Sequence, residues 1–159
     1  MIRRSLVIAA TIILTLALAS MALAAEPNVG TWKLNIAKSK LAPSTQAPVK
    51  EETFVVREIG DQFEITVTRT RTDGSTNSTK GTNPKQGGVV QSAAMPKDFI
   101  VMVTMISPNE WYNTFLQNGK QLSVAHFVIS KDGKTITETG KGLDDKGKPV
   151  ESLAVFDKQ

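Results

Sequence analysis

The 159-residue chain contains no cysteine and a single histidine, His126. The first absence removes disulfides, Cys-His nucleophilic pairs and any lipid carried on an N-terminal cysteine. The second removes the usual zinc sites, which need several Cys, His or carboxylate ligands. No serine sits in a Gly-x-Ser-x-Gly setting, so the nucleophile elbow is missing. Gly87-Gly88 in "NPKQGGVV" has neither the Gly-x-x-x-x-Gly-Lys spacing nor the following helix of a phosphate loop. No metal, no cofactor and no enzymatic activity are expected.

Large charge excess is also lacking once the N-terminus is considered. Met1-Ile2-Arg3-Arg4 is cationic, the stretch from Ser5 to Ala19 carries no charge, and small residues follow through Ala25. That layout predicts a signal peptide over 1–24, cut after Ala22-Leu23-Ala24, and an exported protein, periplasmic or extracellular. The rival reading is an uncleaved anchor, because the run approaches the length of a spanning helix; no cationic stop follows it. Of the 19 Lys and Arg residues, Arg3 and Arg4 lie in the leader, leaving 17 basic against 15 acidic side chains. Such a balance argues against nucleic acid as a partner. Residues 25–159 form one domain large enough to bury its own core without disulfides, expected as a monomer with no membrane span.

Long helical periodicity is the next absence. Short runs with period-two alternation recur instead between turn signals, which predicts an all-β fold. In "QFEITVTRT" (62–70), Phe63, Ile65 and Val67 share one face, and Glu64, Thr66 and Thr68 the other. Asp73-Gly74, Asn118-Gly119 and Asp132-Gly133 are hairpin turns. With 31–35, 53–59, 98–106, 110–117, 120–130, 134–142, 151–157 and weaker segments near 75–81 and 87–92, the chain has about eight to ten strands. Tight turns make neighbours antiparallel, and closure into an up-and-down barrel removes most exposed edges. The segment 36–50, with Pro43 and Pro48, reads as a long irregular connection over one end.

Gly30-Thr31-Trp32 at the start of the first strand, followed by a meander, resembles the lipocalin and fatty-acid-binding protein (calycin) superfamily. The segments "GTWKLN…AKSK" and "SKDGKTIT…KG…GKPV" resemble small secreted bacterial lipocalin-like proteins. The resemblance implies that Gly30 and Trp32 are structural and that Trp32 plugs one barrel end. It also exposes two departures. No arginine follows Arg71 to cover that tryptophan, so at most a lysine such as Lys158 takes the place. The Arg-x-Tyr carboxylate anchor of the intracellular branch is absent, with Ala154-Val155-Phe156 in its position, so a fatty acid held in that manner is not expected.

Candidate ligand contacts are Trp111, Asn113 and Phe115, which share a strand face, and His126, which shares a face with Leu122, Val124 and Val128. The alternative for the Trp111 set is core packing, and for His126 a hydrogen-bonded or rim position. Glu51-Glu52, Glu58 with Asp61, and Asp144-Asp145 do not have the spacing of a calcium loop; the last pair reads as a turn. The expected function is binding of a small apolar or amphipathic ligand inside the barrel, with access opposite Trp32. The alternative is an interaction or envelope-associated module of the same fold with a filled interior. A void above about 300 Å³ lined by Trp111 or its neighbours favours the ligand.

Overall fold

The computed structural model describes residues 26–44, 46–91, 95–144 and 146–159. The expected leader over 1–24 and Asp145 lie outside them. Ten strands follow in chain order: β1 (Gly30–Leu34), β2 (Val49–Ile59), β3 (Gln62–Arg71), β4 (Thr76–Pro84), β5 (Gly88–Val90), β6 (Phe99–Ser107), β7 (Glu110–Gln117), β8 (Lys120–Ile129), β9 (Thr135–Leu143) and β10 (Pro149–Lys158). A single 3₁₀ turn, Ile36–Lys38, interrupts the β1–β2 connection, with the Asn35 side chain accepting from the Lys38 amide. Among the described residues no helix is long and apolar enough to cross a membrane.

All strands belong to one antiparallel sheet in the order β4-β3-β2-β1-β10-β9-β8-β7-β6-β5. First and last strands pair, Trp32 opposite Lys158 and Leu34 opposite Phe156, so the sheet curls into a nearly closed up-and-down barrel. Its seam lies between β4 and β5, where among the described residues no ladder forms. Both edges are blunted. β4 is polar and mostly exposed and ends at Pro84, while β5 is three residues long.

Turn chemistry and one irregularity set which side chains face in. Asn118 and Gly119 both take positive φ, 50° and 71°, as a two-residue hairpin requires. From that turn Gln117 pairs with Lys120 and Leu116 with Gln121, but Phe115 pairs with Ser123. Leu122 is thus an extra residue on β8, a bulge that swaps the faces of everything beyond it.

The core sits where β1 meets β10: Trp32, Leu34, Val56, Phe63, Ile129, Ile136, Ala154 and Phe156. Trp32 is wholly buried and its Nε1 donates to the Asn28 carbonyl at 2.8 Å. Phe54 stacks on it at 6.1 Å, and Phe156 meets Phe54 edge-on at 4.8 Å. The Lys158 Nζ stands 4.9 Å from the Trp32 ring centroid. Gly30, at φ 139°, leaves room for it, since a Cβ there would come within 2.9 Å of Lys158 Cε.

Candidate functional site

Above this core the barrel holds a cavity of about 600 Å³, partly open to solvent. Because alternate residues point inward, each strand contributes a short row. β2 gives Glu52, Phe54 and Val56; β3 gives Phe63, Ile65, Val67, Arg69 and Arg71; β4 gives Asn77, Thr79 and Asn83. From the other side come Val103 and Met105 of β6, Trp111, Asn113 and Phe115 of β7, Phe127 of β8, Glu138 of β9 and Phe156 of β10. Gln46 of the β1–β2 connection also lines it. The wall is mostly apolar with a few polar groups, as in small-molecule sites.

Trp111 and Phe127, opposite one another across β7 and β8, stack with centroids 4.9 Å apart and planes 2° from parallel. Phe127 is in turn opposite Glu138 on β9. One register row therefore carries an indole, a phenyl ring and a carboxyl group. Across the interior, Arg69 Nε donates to Glu52 Oε2 at 2.5 Å, and these two are register partners on β2 and β3. That bond, more than the opposing effect of burial, holds the Arg69 guanidinium above its ordinary pKa.

Glu138 is the perturbed group. Burial, reinforced by the Glu52 charge and only partly offset by Arg69, pushes its carboxyl up to about 7. No hydrogen bond contributes to that shift. Arg71, the next inward position on β3, donates from Nη1 to the Ala47 carbonyl at 2.9 Å. Asn28 Oδ1 and Asn113 Oδ1 are buried without a partner among the described residues. Among those residues no group of three or more His, Cys, Asp or Glu side chains is placed to hold a metal ion.

The structure brings Trp111, Asn113 and Phe115 together on the cavity wall. It sets His126 elsewhere. Tyr112 is the register partner of His126, their rings stack at 4.2 Å, and His126 Nε2 lies 2.9 Å from Glu110 Oε1. This pair occupies the outer face, with Leu122 and Val128 exposed beside it, because the Leu122 bulge turns Phe127 inward in place of His126. His126 is therefore not part of the cavity lining and holds the hydrogen-bonded position that was the alternative for it. Glu52, Arg69, Arg71 and Glu138 are the site residues that sequence reasoning missed. Their signal was present: Arg69 and Arg71 continue the alternation of Phe63, Ile65 and Val67, and Glu138 follows Ile136 at the same spacing.

No protein-family model and no curated protein matches the sequence. Solved structures do match the fold. A Schistosoma mansoni fatty acid binding protein in complex with arachidonic acid is 12% identical with a TM-score of 0.54, covering 84% of this chain and 96% of that one. Zebrafish ileal bile acid-binding protein complexed with cholic acid is 13% identical with a TM-score of 0.50, covering 84% and 99%. The chain thus shares the antiparallel β-barrel fold of these two proteins.

Proposed function

We propose that this protein is a non-enzymatic, exported binding protein that holds one small apolar or amphipathic molecule inside its barrel. The observation that carries the reading is the cavity of about 600 Å³ lined by Trp111, Phe115 and Phe127, a volume in the range of small-molecule sites. A filled-interior module has no use for a space of this size. Two proteins of the same fold, from Schistosoma mansoni and zebrafish, are named as binding fatty acid and bile acid. Burial of apolar ligand area supplies the driving force, about 25 cal/mol per Å² before ordering costs. Trp111, Phe115 and Phe127 are the apolar contacts, with Asn113 as a polar one, and access is from the end opposite Trp32. The cationic start and apolar run of residues 1–24 support export.

Native mass spectrometry of protein purified from its own host is expected to show a bound small molecule, and N-terminal sequencing to begin at Ala25. A mass equal to the bare chain, together with no change in tryptophan emission on adding the uncharged dye Nile red, sinks the binding reading.

A further inference from the structure

We propose, resting on the binding reading above, that the cavity is built for an amphiphile whose polar head is a protonated amine, seated between Glu138 and the stacked rings of Trp111 and Phe127. Four charged side chains line the cavity: Glu52, Arg69, Arg71 and Glu138. Three are already engaged. Arg69 and Glu52 bond to each other at 2.5 Å, so each charge has its counter-ion. Arg71 is tied to the Ala47 carbonyl at 2.9 Å. Its field acts on Asp73 at the β3–β4 turn, whereas the charges acting on Glu138 are Glu52 and Arg69. Glu138, half-buried on the cavity wall, is the one of the four with neither a hydrogen bond nor an ion pair among the described residues.

The surroundings of Glu138 select among heads. A carboxylate placed there meets Glu138 and Glu52 with only a committed arginine nearby, so it is repelled. A hydroxyl donates one hydrogen bond and brings no charge. An ammonium brings three N–H donors and a positive charge to the one lining carboxyl that no arginine bonds, and charge-assisted bonds are roughly twice as strong as neutral ones. The register row then adds a second attraction. Glu138 is opposite Phe127, and Trp111 stacks on Phe127, so a cation at the carboxyl lies next to the Phe127 ring, whose quadrupole attracts it.

The experiment is displacement of Nile red from the full protein, expressed in its own host, by dodecylamine, dodecan-1-ol and dodecanoate at pH 7.5. Dodecylamine is expected to bind about tenfold tighter than dodecan-1-ol, with dodecanoate weakest. Glu138→Gln is expected to bring the amine-to-alcohol affinity ratio to about one, while His126→Ala on the outer face leaves the ratio at its wild-type value. Dodecanoate binding as tightly as dodecylamine, its head going to Arg71, overturns the inference, as does a ratio unchanged by Glu138→Gln. If Nile red and dodecan-1-ol bind without any amine preference, only the inference about the head fails. If none of the probes bind, the ligand-binding reading fails with it.

Discussion

Trp111 stacks on Phe127 with planes 2° apart, and both rings line the cavity. The second tryptophan, Trp32, is wholly buried beneath Phe54. Emission from the two indoles should therefore separate cleanly. A guest in the cavity contacts Trp111 and leaves Trp32 untouched, so Trp111→Phe is expected to abolish the emission change on Nile red binding while Trp32→Phe retains it. A titration of both variants checks this; retention of the signal in Trp111→Phe places the guest elsewhere.

His126 gives the opposite expectation. It stacks on Tyr112 and meets Glu110 on the outer face, where partly exposed ion pairs contribute about 0–1 kcal/mol. His126→Ala should lower the urea stability by less than about 1 kcal/mol and leave Nile red affinity within about twofold of wild type. A larger loss of affinity would place the ring in contact with the guest.

Much of the fold was legible because alternation and turn residues act locally. Asn118-Gly119 located the β7–β8 hairpin, and the weak segments around 75–81 and 87–92 mark β4 and β5. What escaped was register. A two-residue turn left to itself pairs Trp111 with His126 and puts both on one face; the Leu122 bulge pairs Trp111 with Phe127. Nothing in "KQLSVAHF" chooses between these, since Val124, Ala125 and Phe127 tolerate either face. The charged part of the site escaped for another reason. The apolar alternation ends at Val67 and at Ile136, and Arg69 and Glu138 continue the two rows as charges, a residue type that ordinarily faces solvent. Charge on an inward row is costly unless it is paired or partly solvated, and here Arg69 bonds Glu52 and the cavity is partly open to solvent.

The closed end supports a third prediction. Trp32 fills its site completely, so Trp32→Ala should cost about 3–5 kcal/mol. Lys158, with Nζ 4.9 Å from the ring, supplies a cation–π contact, and Lys158→Met should cost about 0.5–1 kcal/mol. Gly30→Ala meets both an unfavourable φ of 139° and Lys158 Cε at 2.9 Å, for about 1–2 kcal/mol. Urea midpoints order these variants. Gly30→Ala as stable as wild type would mean that the Lys158 chain is not held over Trp32.

Arg69 is bonded to Glu52, and its charge also acts, more weakly, on Glu138. Arg69→Met therefore leaves two carboxyls in a poorly solvated space. Removing one partner of a fully buried pair costs about 3–5 kcal/mol; the Arg69 side chain is 41% exposed, so about 2 kcal/mol is expected. The double variant Glu52→Leu/Arg69→Met should recover most of the loss, because the uncompensated charge goes too. A double-mutant cycle in urea measures the coupling. Equal losses in the double and the single variant would show that the pair contributes no mutual stabilisation.

Glu138 sets the pH dependence. Unfolded, its carboxyl titrates near the ordinary 4.5; folded, burial and Glu52 push it up to about 7. Between those values the folded protein binds more protons than the unfolded chain, so stability falls as pH rises through that window and is level on either side. The shift corresponds to at most about 3 kcal/mol, and on the order of 2 kcal/mol once cavity water is allowed for. Asp73 and Asp132, held below their usual range by hydrogen bonds from Ser75 and Ser130, act with the opposite sign and only in more acid solution. Comparison with Glu138→Gln cancels them. The variant should be about 2 kcal/mol more stable than wild type at pH 8, and nearly equal to it at pH 4.5. Urea unfolding at the two pH values checks this: a gap of the same size at both would mean that Glu138 ionises like an exposed carboxylate, and that the barrel interior is wetter than its lining implies.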